Sequence, residues 1–189
     1  MTPEGNRRCT CSAAAALSLV LVASSLPAGA DGGGRSVPGG LQAVRQLVAD
    51  LGPRGAINRL AADSVAFYAF LGGVAEAKDE WLDLAVQLVA VSDGYARDSL
   101  VEAFSGALER KPEEVLVRGA SGIPLPVVCA YDPFMPISSI RTRQQFFAAL
   151  EPRERAVTGV KRLDLAAAKQ ACLAALAKLK ANVPARYTP

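Results

Sequence analysis

Cys129 and Asp132, three residues apart in GIPLPVVCAYDPF (122–134), are the nearest this sequence comes to a nucleophile beside an acid. A catalytic thiolate needs a neighbouring base or cation to lower its pKa. The residues around Cys129 are Val128, Ala130 and Tyr131, and the chain contains no histidine. That absence excludes a Ser-His-Asp triad, a Cys-His dyad and any His-ligated metal site. A carboxylate-only or Ser-Lys mechanism stays formally open. The expectation is a protein that is not an enzyme, with no catalytic residue, no metal and no cofactor.

Three other groups could do chemistry. Glu76, Asp79, Glu80 and Asp83 are spaced so that a helix brings carboxylates together. With Lys78 among them, a solvated helix start favoured by the dipole is the plainer reading. Phe67, Tyr68, Phe70 and Trp81 could line a ligand pocket, although aromatics at helical spacing are usually core. Arg141, Arg143, Arg153, Arg155, Lys161 and Arg162 form the densest positive stretch, partly neutralised by Glu151 and Glu154. The net charge of +3 is small and no long basic run exists, so nucleic acid is not an expected partner.

The elements that would position these groups begin after an N-terminal targeting signal. Arg7 and Arg8 precede the uncharged run AAAALSLVLVASSL (13–26), which is followed by Pro27 and Ala28-Gly29-Ala30. A positive region, an apolar region and an A-x-A site predict a Sec signal peptide over 1–30, cleaved near Ala30. The apolar run is shorter than the roughly 20 residues a bilayer demands. The segment DGGGRSVPGG (31–40) reads as a flexible leader. The mature chain is expected in the periplasm or medium, without a stable membrane anchor.

Cleavage removes Cys9 and Cys11 and leaves Cys129 and Cys172, 43 residues apart. In an oxidising compartment an even pair normally bonds. A disulfide is therefore expected, fastening the 122–134 segment to the last helix.

Helical periodicity dominates the remainder. Leu41, Val44, Leu47, Val48 and Leu51 share one face of a first helix, ended by Gly52-Pro53, and a short helix follows over 54–62. Asp63 can N-cap the next helix, whose apolar side is predicted to hold Val65, Phe67, Tyr68, Phe70 and Leu71. The helix over 79–91 is apolar around much of its circumference and is predicted to be central. Leu100, Val101, Phe104 and Leu108 mark another, and Pro112 opens a short one. Val127 and Val128 are expected in the core, with Pro126–Cys129 the best strand candidate. A helix over 141–150 is predicted to stop near Pro152, and a last helix runs over 160–181 with Leu165, Ala168, Cys172, Leu176 and Leu179 inward. The predicted fold is all-α: an irregular bundle or short helical-repeat-like stack of about seven helices, one long loop and one disulfide. A single domain over 41–183 with a tail over 184–189 is expected.

Residues 53–135 resemble a group of small exported bacterial helical proteins of unassigned function. The resemblance is carried by Trp81, Leu84, Ala85 and Leu88, then Asp93, Ala107, Leu108, Pro112, Val115 and Leu116, and ends on Cys129, Pro133 and Phe134. It implies an exported helical protein and no activity. A looser similarity of size, export and disulfide use links the chain to periplasmic immunity proteins that block secreted toxins.

The expected function is that of an exported, non-catalytic, protein-binding module acting on an envelope protein. Tyr131, Pro133, Phe134 and Met135, in the Pro-rich loop held by the disulfide, are the candidate partner-binding residues. Such residue types are enriched in interface cores. The alternatives are a carrier of a small apolar ligand and an immunity- or inhibitor-like protein.

Overall fold

The computed structural model describes residues 40–119, 122–132 and 140–187. The predicted signal peptide lies outside the described residues, as does the leader apart from Gly40. Eight α-helices and one 3-10 turn are formed, and no strand, among the described residues. The helices are α1 (Leu41–Ala61), α2 (Ser64–Ala75), α3 (Asp79–Val89) and α4 (Gly94–Arg110). Then come α5 (Pro112–Gly119), α6 (Leu125–Cys129), α7 (Arg143–Gly159), the 3-10 turn (Leu163–Leu165) and α8 (Ala166–Ala181). None of the described helices is long and apolar enough to cross a membrane.

The two predicted N-terminal helices are the two limbs of α1. Gly52 breaks the helical path with φ 69°, a left-handed value that only glycine adopts without strain. Pro53 then restarts the helix at a position where it needs no backbone donor. Asp63 caps α2 by accepting a 3.1 Å bond from the Ala66 amide.

The hub is α4, which packs against α2, α3, α5, α6 and α7. The predicted centre, α3, touches fewer neighbours. The physical reason lies in side-chain size. Around Leu100, Phe104 and Leu108, α4 buries Ser99, Ala103, Ser105 and Ala107, which let other helices come close on several sides.

Five further expectations are corrected. In α2 the inward stripe is Phe67, Phe70, Leu71 and Val74, whereas Val65 and Tyr68 are 79% and 60% exposed. Those two share a different line of the helix from the one that meets the core. The strand candidate is helix α6: Pro126 sits in its first turn, where a missing amide is tolerated. Helical spacing then turns Leu125, Val128 and Cys129 inward and leaves Val127 52% exposed, so Val127 is not core. Pro152 does not end α7, which continues to Gly159. Phe146 and Leu150 before it, and Arg153 and Val157 after it, are buried on one face, and that packing outweighs the cost of the exposed proline. Finally, the core extends beyond residue 183. Tyr187 is 2% exposed and lies 4.7 Å from the Phe146 ring, centroid to centroid.

Candidate functional site

The disulfide between Cys129 at the end of α6 and Cys172 within α8 has a Cα–Cα distance of 5.3 Å. Both residues are fully buried, and Cys172 lies on the inward stripe of α8 as its periodicity predicts. Helix α6 is thus tied to the last helix, and the Cys129 sulfur is bonded rather than free.

A second tie lies beneath it. Arg153, 4% exposed, donates through Nη1 to the carbonyls of Cys129 (3.2 Å) and Tyr131 (2.8 Å), and through Nη2 to Glu109 (3.2 Å). Burial draws the guanidinium below its ordinary range and Glu109 opposes that pull. A third tie comes from the C-terminus. The Tyr187 hydroxyl donates to Asp132, and Arg186 pairs with the same carboxylate. Residues 129–132 are therefore fixed by a disulfide, a buried arginine and a C-terminal clasp.

Tyr131 is half-buried against the core, and its hydroxyl points to Glu102 of α4 at 3.4 Å. Burial, reinforced by Glu102 and Asp98, pushes its pKa up to about 12. Glu102 and Asp98 lie one turn apart on α4, and no cation pairs with either among the described residues. Of the predicted binding residues the structure places Tyr131 here. Pro133, Phe134 and Met135 lie outside the described residues.

The acidic set is not gathered around one point. Glu76 pairs with Lys78 at 2.6 Å and Glu80 with Arg45 at 3.6 Å, while Asp79 and Asp83 both face Arg118. The Arg118 guanidinium also bonds Glu114 at 2.9 Å. Its burial works against the charge, but these carboxylates outweigh it and raise its pKa. The basic stretch is dispersed too. Arg153 is internal, Arg162 bonds Asp164, and Arg141 turns back to the Ile140 carbonyl. In the aromatic set Phe67 and Phe70 are core and Trp81 packs on Phe70, 5.5 Å between centroids. Tyr68 points outward and bonds the Tyr95 hydroxyl at 2.6 Å, at one end of a cavity between α2 and α4.

Sequence reasoning counted Arg153 in a surface basic stretch rather than as an internal group, and missed Tyr187 and the capping box of Thr142 and Gln145 that starts α7. The last was readable, because Thr-x-x-Gln before an apolar run is a helix-start signature. Arg153 and Tyr187 leave no local pattern; their partners are 22 to 55 residues away.

Family models, curated proteins and solved structures yield no match to this chain.

Proposed function

We propose that the protein is an exported, non-catalytic helical module that binds another protein of the cell envelope through the surface around Tyr131. The observation that carries this reading is the triple fixation of residues 129–132. A segment already held in one conformation loses little entropy when a partner docks. It also carries a tyrosine beside two carboxylates that lack a cation among the described residues. Tyrosine is a frequent interface anchor, and the uncompensated acids favour a basic partner surface. A toxin-neutralising role is one form of this reading, resting on size, export and disulfide use.

Export is supported by the charged, apolar and A-x-A regions of residues 1–30 and by the bonded cysteine pair. N-terminal sequencing of the secreted or periplasmic form should find a start close to Asp31; an intact Met1 would remove the compartment argument. The binding reading is tested by co-purification from envelope extract with wild type, Phe134→Ala and Tyr131→Ala. A specific partner should be lost from both variants while both stay folded, Tyr131→Ala melting somewhat lower than wild type because its ring is half-buried against the core. A partner retained by both would place its contact elsewhere.

The carrier reading keeps one observation in its favour, the cavity between α2 and α4, with a volume of about 440 Å³. That is within the range of small-molecule sites, roughly 300–1,000 Å³.

A further inference from the structure

The cavity between α2 and α4 is kept open at a cost to both helices. Tyr68 touches Tyr95, and Gly106 lies across from Ala75, so the two helices run parallel along its sides. Its floor holds Leu71 and Ala103. Gly72 lines it from α2, and a Cβ added there would meet nothing within 4 Å. A Cβ at Gly106, on α4, would sit 3.7 Å from Ala75, an ordinary contact. Neither glycine has a positive φ. Glycine weakens a helix relative to alanine, and nothing in the packing requires it at these two positions. Gly73 is the contrast: there an added Cβ would lie 2.5 Å from the Trp81 ring, so the packing does require glycine.

Two polar groups line this space with hydrogen-bonding capacity or charge left over among the described residues. Ser99 is 8% exposed, lines the cavity, and makes no hydrogen bond through its side chain among the described residues. Glu102 is half-buried at the rim, with the Tyr131 hydroxyl at 3.4 Å and no cation. Elsewhere most acids of the helices have one: Arg45, Arg118, Arg153 and Lys180 are each engaged.

We propose that this cavity binds a small amphiphilic organic cation, an apolar body bearing one ammonium group. The apolar body lies over Leu71, Gly72 and Ala103. The ammonium sits between the Glu102 carboxylate and the faces of Tyr68 and Tyr95, where both the charge and the aromatic rings favour it. Ser99 offers the remaining polar contact. The proposal shares Glu102 with the protein-binding reading but does not depend on it, because it concerns the cavity and a free ligand whose binding is measured without any protein partner.

The test is calorimetric titration of the full mature protein with octyltrimethylammonium, octan-1-ol and octanoate, each below its aggregation limit. The ammonium should bind about tenfold more tightly than the alcohol, and the carboxylate more weakly still. Glu102→Gln should bring the ammonium down to the alcohol's affinity and leave the alcohol unchanged. Gly72→Leu should abolish binding of both while the melting temperature stays at or above wild type. If Gly72→Leu does not fold, Gly72→Ala, which adds one carbon to open space, should still weaken binding. Equal affinity for ammonium and alcohol, no binding of the ammonium at millimolar concentration, or unchanged binding in the Gly72 variants would overturn the proposal.

Discussion

Arg153 joins three parts of the chain through a single guanidinium: the α6 end, the residue after it, and Glu109 of α4. Replacing it by leucine leaves two buried or half-buried carbonyls and a carboxylate without their donor. Arg153→Leu should cost about 2–4 kcal/mol in urea unfolding with the disulfide intact. Arg153→Lys keeps the charge but lacks the planar fork, so it should recover only part of that loss. Tyr131 gives a prediction in pH. A tyrosine in the unfolded chain ionises near pH 10, whereas burial and the nearby Glu102 hold Tyr131 neutral up to about pH 12. A folded pKa raised above the unfolded one contributes stability that is complete below about pH 10 and falls between about pH 10 and pH 12. Tyr131→Phe should flatten this alkaline decline in melting temperature and remove a phenolate that forms at about pH 12 in an absorbance titration. A decline as steep as wild type would show that Tyr131 ionises normally.

At the scale of elements, neighbouring glycines in α2 should respond with opposite signs. Gly72→Ala adds a methyl group to open space and lowers the chain entropy lost on folding, so it should stabilise by about 0.5–1 kcal/mol. Gly73→Ala drives a Cβ into the Trp81 ring and should destabilise by about 1–3 kcal/mol, since the ring already packs on Phe70 and Gly73 of α2. Paired thermal melts of the two variants settle the matter, and like signs would contradict the packing described. The same packing logic explains α6 and α7. Five residues with a proline in the first turn form a helix because three of them reach the core and one is bonded to α8. A helix crosses Pro152 because its buried face continues on both sides.

For the whole molecule the disulfide is a covalent constraint that joins residues 43 apart and ties α6 to α8. Closing a loop of that size in the unfolded chain stabilises by roughly 4 kcal/mol on the chain-entropy account. The double variant Cys129→Ala/Cys172→Ala should therefore melt about 8–16 °C lower than wild type. Peptide mapping without reduction should recover the linked fragment from mature protein; free thiol at both positions would refute the bond. The C-terminal clasp adds to the same end of the fold, with Tyr187 against Phe146 and Arg186 against Asp132.

The amino-acid sequence by itself determined what depends on short-range pattern and on composition. Apolar periodicity specified an all-α protein, the Asp63 cap and the Gly52-Pro53 break followed from local backbone chemistry, and the pairing of Cys129 with Cys172 followed from their being the two cysteines beyond residue 30. Tertiary structure alone decided which of several apolar lines of a helix turns inward. Val65, Tyr68 and Val127 are as apolar or aromatic as their neighbours, yet they face out because the described helices leave their side largely uncovered. It also decided that Arg153 is internal and Tyr187 is core, because each is held by partners tens of residues away in the chain. The cavity between α2 and α4 is of the same kind. Gly72, Ser99 and Glu102 carry no common motif, and only the parallel packing of their two helices brings them around one space.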